Sequence, residues 1–262
     1  MDMEKNTQTV FISLAGVGGC SVSRALRSLG QNALPFDWLI ARQDFVISAI
    51  ESGGTAFFDF DDHARLHGET IITVPDRSAL SIHDFRQNWA AEKENVRKKY
   101  RRRWNRFHDI LYSRPGARQP RKIVFVRSFL DMDEPIESIY DNIFVRQKED
   151  VRAWEDFLAR EQRKNPGTEM HLVIVTSRDD VKSQAPKVHV LRLKNYKDYK
   201  EIKKALKKLM TPADRLRYLK INASFALEKF LKTFINFFSA KPPGKHKSTG
   251  ANPSGSTLKI KP

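Results

Sequence analysis

Residues 9–30 read TVFISLAGVGGCSVSRALRSLG, a strand, a glycine turn and a helix in direct succession. TVFISLA (9–15) is β-branched and apolar, the composition of a buried strand. Gly16-Val17-Gly18-Gly19 breaks it. The following SVSRALRSLG carries Val22, Ala25, Leu26 and Leu29 on one helical face, and Gly30 is its natural stop. Three more buried strands follow at 122–128 (KIVFVRS), 171–177 (HLVIVTS) and 188–194 (VHVLRLK), with shorter ones expected at 55–60 and 70–74. Helical periods occupy 41–52, about 86–111 and 136–163. Strands alternating with helices predict an α/β fold, a mainly parallel sheet flanked by helices. The C-terminal part is Lys-rich and helical at 197–209 and again at 213–238, so a helical basic C-terminal extension is expected. The organisation read from this is an α/β domain at 1–195 with a basic helical insertion at about 86–121, an amphipathic extension at 196–240, and a disordered basic tail at 241–262.

Composition narrows the class. The 262 residues hold 47 Lys plus Arg against 31 Asp plus Glu, a net +16, and 40% are hydrophobic. With 17 Phe and 4 Trp in patterned segments, full disorder is excluded. No apolar run reaches the ~18–20 residues of a membrane span. The acidic, polar MDMEKNTQ start is unlike a signal peptide, so a cytoplasmic chain is expected, with the nucleus left open by the basic run below. The lone Cys20 excludes an internal disulfide and a cysteine-built zinc site. His63 and His67 stand four apart near Asp59, Asp61 and Asp62, without the Glu of a zincin helix; no metal is expected. Nor is a nucleotide cofactor: Ser21 stands where a dinucleotide turn has its third glycine, and no Walker lysine is present.

Cys20 falls in the first turn of a helix, where unpaired N–H groups and the helix dipole favour a thiolate. Gly18, Gly19 and Ser21 around it form a candidate oxyanion and substrate loop. The plain alternative is a small buried residue closing a βα turn. A nucleophilic thiol also needs a base, normally a histidine distant in sequence.

These residues sit in a wider pattern: Ser13-Leu14, Cys20, Pro35-Phe36-Asp37-Trp38, His83-Asp84-Phe85 and Phe125-Val126-Arg127. The pattern resembles the DUF1796 family, whose activity as papain-like cysteine peptidases is itself inferred, over roughly residues 9–180. Ala15 stands where that family has glycine, and the AGVGG loop is slightly long. The resemblance implies Cys20 as nucleophile, His83 as general base, a peptide or other acyl substrate, and no cofactor. Asp37 is the first candidate for the group that orients the imidazole, and Asp84 the alternative. Arg127, ending a strand where α/β sheets place ligands, is a candidate anion-binding residue. Phe36 and Trp38 read more readily as core than as substrate contacts.

A second class of function rests on charge. Lys93 to Lys122 holds 12 basic and 2 acidic residues. Arg97, Lys98, Lys99, Arg101, Arg102 and Arg103, interleaved with Tyr100 and Trp104, suit a nucleic acid or another anionic surface. The amphipathic stretch with Leu227, Phe230, Leu231, Phe234, Phe237 and Phe238 suits packing on the domain or an anionic membrane surface. The alternative to a thiol hydrolase is therefore a non-catalytic basic α/β module.

Overall fold

The computed structural model describes residues 9–54, 62–66, 69–73, 78–85, 89–112, 122–129, 149–194 and 198–216, with 218, 219 and 223. For 62–66, 69–73, 82–85, 89 and 90 the description is of the backbone. The expected strand at 55–60, the first part of the helix expected at 136–163, most of 213–238 and the tail lie outside these residues. One compact unit takes in Met1–Tyr218 and a second Leu219–Pro262.

The sheet expected to be parallel is parallel. β1 (Thr9–Ser13), β6 (Lys122–Phe129), β7 (Glu169–Thr176) and β8 (Val188–Arg192) are hydrogen-bonded in that order, every neighbouring pair parallel. Its central strands are buried on both faces, as helix-covered parallel sheets are. Alternate residues serve opposite layers. Ile12, Ile123, Phe125, Leu172 and Ile174 enter one core with Phe36, Leu39 and Trp154. Phe11, Val124, Val126, Val173 and Val175 enter the other with Val22, Ala25 and Leu26 of α1 (Gly19–Ser28) and Ile202 and Leu206 of α5 (Tyr199–Leu209).

A second, antiparallel sheet accompanies the first. It comprises β2 (Leu39–Ala41), β5 (Ala79–Phe85), β4 (Glu69–Thr73) and β3 (Asp62–Leu66), in that order. Sequence patterning signalled the strand at 70–74 and read SIHDF (81–85) only as the lead into a helix. A three-residue strand such as β2 is too short to show a period.

The basic stretch forms α3 (Trp89–Tyr112), a layer of the main core. Val96, Tyr100, Trp104, Phe107 and Leu111 recur at three- and four-residue spacing and are all buried. Each such burial is favourable by about 1.5–3 kcal/mol. Like-charge pairs along the outer face oppose it by only ~0.2–0.5 kcal/mol each. Packing therefore wins. α2 (Gln43–Glu51) and α4 (Val151–Lys164) complete this side, joined where the Gln43 side chain exchanges hydrogen bonds of 2.7 and 2.8 Å with the Asp150 backbone. α5 is tied in as well. Just beyond it, buried Asp214 accepts from the Thr9 amide at 2.8 Å and the Thr9 hydroxyl at 2.6 Å, fixing the start of β1.

Arg127 connects the layers. It is 1% exposed at the end of β6, donating to Leu14 O at 2.7 Å and Ala41 O at 2.9 Å and pairing with the Glu149 carboxylate. Its guanidinium carbon lies 5.1 Å from the Trp154 ring centre, and Trp154 Nε1 donates to Glu149 at 2.9 Å.

Breaking a buried pair strands the other charge. Arg127→Met is expected to lower unfolding free energy by about 3–5 kcal/mol, measured by urea denaturation. Adding Glu149→Gln to it removes the stranded charge, so the double variant should be less destabilised than the sum of the two singles. A strictly additive cycle would contradict the account.

Candidate active site

The β1–α1 connection is fastened to the end of β6. Leu14 N donates to Val126 O at 2.9 Å, and the Ser128 hydroxyl donates to Val17 O at 2.6 Å. The chain then turns through left-handed backbone at Ala15 (φ 59°), Gly16 (φ 102°) and Gly18 (φ 78°). Gly16 has no alternative here: a Cβ on it would sit 1.9 Å from Ser128 O. Ala15 adopts a conformation that glycine holds at lower cost, which is the physical reason for a glycine preference at that position.

Gly18 is the N-cap of α1 and Cys20 its second residue. Gly19 N donates to Gly16 O and Ser21 N to Gly18 O, both at 3.0 Å, so these two amides of the expected oxyanion loop are taken up in closing the turn. The amide of Cys20 interacts with its own sulfur. Cys20 is half-buried, and burial pushes its thiol pKa up, against smaller downward pulls from Arg24 one turn along and from that amide. The expectation from the helix dipole alone was the reverse. Desolvation of the thiolate is the larger effect.

One turn after Cys20, Ser23 is fully buried and bridges α1 to the Pro35–Trp38 segment. Its hydroxyl donates to Asp37 Oδ1 at 3.2 Å and accepts from Trp38 N at 3.0 Å. Asp37 Oδ2 accepts from Leu34 N at 2.8 Å. Asp37, 3% exposed, thus closes the turn from Leu34 and clamps it to α1. Burial pushes its pKa up, and the Leu34 amide, Arg103, Ser23 and Arg27 counter in part. Trp38 leaves the turn at φ 68° and is half-buried. Phe36 is core, edge-on to Trp104 at 6.0 Å and Phe107 at 5.7 Å.

β2 begins at once after this turn, and its pairing brings in the histidine strand. Leu39 pairs with Ser81 and Ile40 with Leu80, antiparallel. The pairing ends at Leu39 and Ser81, because residues 35–38 turn, with Trp38 at φ 68°; His83 lies two residues further along β5. The start of α1 is close by: a Cβ on Gly19 would lie 3.0 Å from Leu39 O. The described pairing thus sets β5, the strand that carries His83 and Asp84, beside β2, and the start of α1 against Leu39.

Arg127 lies under the β1–α1 loop, its guanidinium carbon 3.1 Å from where a Cβ on Gly16 would sit. The anion it meets is Glu149 of its own chain, and its other donors go to Leu14 O and Ala41 O, which gives it a structural occupation. His63 lies on β3, paired with Ile72, while His67 is outside the described residues. Among the described residues no group of three or more His, Cys, Asp or Glu is arranged to hold a metal ion, and no helix is long and apolar enough to cross a membrane. Tyr100, Trp104 and Phe107, read from sequence as stacking partners for bases, face the core. The basic helix therefore lacks that stacking platform.

Ser23 escaped the sequence reading. Its signal was present: a hydroxyl amid Val22, Ala25 and Leu26, on the turn after Cys20. Glu149 had no local signal, because its role depends on contact with a strand twenty residues earlier.

A family model described as "Putative papain-like cysteine peptidase (DUF1796)" matches residues 9–180, more than half of the chain. No curated protein and no solved structure matches.

Ser23→Ala removes the hydroxyl that accepts from Trp38 N and donates to Asp37 and should cost about 1–3 kcal/mol. The loss should also depend on pH. A carboxyl whose folded pKa is raised favours the fold below its unfolded pKa and loses that contribution as pH rises through the folded value. Removing the Ser23 hydroxyl raises the folded pKa of Asp37 further, so the destabilisation should be larger at pH 8 than at pH 4. Urea midpoints for both proteins at the two pH values test this; equal losses would show that Ser23 and Asp37 are not coupled.

Proposed function

The chain belongs to the DUF1796 family, and we propose that it acts as a thiol hydrolase or acyl transferase of the papain-like type, with Cys20 as nucleophile and His83 as general base. The observation that supports this most is the start of α1, which bears Cys20, packed against Leu39 of β2, the strand paired with β5 on which His83 lies. All the residues concerned fall within the α/β domain we propose at 1–195.

The chemistry follows from the electrostatics. Burial outweighs the helix start at Cys20, so the thiol needs a base to release its proton near neutrality. His83 accepts that proton as the sulfur adds to a substrate carbonyl. The amides of Gly19 and Ser21 are taken up in the turn, so the amide of Cys20 is assigned as the oxyanion donor. Collapse of the tetrahedral intermediate breaks the bond to the leaving amine, which takes the proton back from the imidazolium, and leaves an acyl-enzyme. Water, deprotonated by His83, then attacks the thioester, releasing the acid and restoring the thiol. With an amine in place of water the same step is acyl transfer. Asp37 acts as a positioning residue: it holds the turn that leads into β2, the strand on which β5 is aligned. Asp84, next to the base, is the alternative third member. A peptide is the substrate class that the family description supports.

The test is the pH dependence of Cys20 alkylation by iodoacetamide. The wild-type thiol, raised by burial, should have part of that rise offset by the imidazole. His83→Ala should titrate above the wild type, because burial then acts without the imidazole, and its rate at pH 7 should fall at least tenfold. Cys20→Ser should not label. Identical profiles for wild type and His83→Ala would refute the pair.

A further inference from the structure

Charge that the cysteine chemistry does not use is gathered between α3 and the end of α1. Arg103 and Arg106 are half-buried on α3. Arg106 Nη2 donates to Ala33 O at 2.9 Å, at the head of the turn that Asp37 closes. The Arg103 guanidinium carbon lies 5.4 Å from the Tyr100 ring centre. Among the described residues, Arg103 Nη1 and Arg106 Nε are nevertheless buried with no hydrogen-bond partner. Arg102 is exposed on the same helix. Arg27, exposed in the last turn of α1, donates to Gln31 O at 3.3 Å.

The carbonyls that end a helix attract cations, and Arg27 and Arg106 each meet one in the loop after α1. That accounts for two donors, not for four guanidinium groups in one place. Burial and then Arg102, Arg103 and Arg27 lower the pKa of Arg106, with Asp37 the opposing influence. Asp37 is a poor counter-charge. It is itself pushed toward its neutral form by burial, and its two oxygens already accept from Ser23 and Leu34. Buried N–H groups without acceptors and crowded like charges are both unfavourable, and one bound anion relieves both.

We infer that Arg27, Arg102, Arg103 and Arg106 form a binding site for a phosphate-type dianion, with buried donors from Arg103 and Arg106 and a rim from Arg27 and Arg102. The planar guanidinium fork matches the paired oxygens of such an anion. Two negative charges answer the local excess better than the single charge of a carboxylate. A free phosphate ion and a phosphate monoester share this chemistry. Arg27 is seven residues along α1 from Cys20, roughly 10 Å of helix, so the site is distinct from the thiol and stands whether or not Cys20 reacts.

The experiment is calorimetric titration of the full chain with sodium phosphate at constant ionic strength, balanced with chloride, together with melting temperatures in phosphate, acetate and chloride. Saturable binding is expected, with a rise in Tm that acetate and chloride do not give. Arg103→Gln and Arg106→Gln should each weaken binding at least tenfold, whereas Arg163→Gln, exposed on α4, should bind as the wild type. Arg106→Lys keeps the charge and loses the fork, so a well-folded Arg106→Lys protein that binds more weakly supports the site without relying on the glutamine variants. A parallel titration with glycerol phosphate separates the sources: tighter binding assigns a monoester, equal or weaker binding the free ion. A phosphate response no larger than that of chloride overturns the inference. So does one that survives in the Arg103→Gln/Arg106→Gln double variant. Salt-sensitive binding of a single-stranded oligonucleotide without saturable phosphate binding also overturns it, in favour of a diffuse polyanion surface.

Discussion

The guanidinium of Arg127, buried at the carboxyl end of β6, reaches Leu14 on the way out of β1, Ala41 at the end of β2, and Glu149 ahead of α4. A charge in that position is tolerated only with its donors satisfied and its countercharge present. Glu149 supplies the countercharge and is itself held by the Trp154 indole N–H. The parallel sheet, the antiparallel sheet and the helical layer are therefore aligned at one point. That point lies directly beneath the loop that carries Cys20. The loop is thus fastened from below by a buried and fully partnered arginine.

The loop above is shaped by close approach. Gly16 lies so near Ser128 that no side chain fits, and the left-handed turn that results delivers Gly18 as the helix cap and Cys20 as the second helical residue. Two influences then compete at the sulfur. The helix start, Arg24 and the cysteine's own amide favour the thiolate, and burial opposes it more strongly. A thiol in that balance is inert without a base and reactive with one.

α3 shows how one helix serves two ends. Its apolar residues, spaced for a single face, are core. Its arginines fall on the remaining faces, and two of them, Arg103 and Arg106, are drawn partly inward against the turn from Ala33 to Asp37. Charge density read along the sequence suggested an open nucleic-acid face with aromatic stacking. Burial of Tyr100, Trp104 and Phe107 removes the aromatic half of that picture and leaves a compact arginine cluster in its place.

Much of the architecture was legible in the sequence. The strands at 9–15, 122–128 and 171–177 declare themselves because a strand buried on both faces is a continuous apolar run, whereas the strand read as buried at 188–194 lies at the sheet edge and is only partly buried; the glycine cluster before Cys20 marks the turn. What sequence could not supply were relations between distant segments. β2 is three residues long and acquires its identity only by pairing with β5. Ser23 and Asp37 are fourteen residues apart and meet because α1 packs beside the turn. Arg127 looks like an exposed ligand-binding arginine until Glu149 is brought to it. Local propensity and hydrophobic period wrote the elements into the sequence. Register, burial and the pairing of charges, which depend on neighbours remote along the chain, were decided by the tertiary structure alone.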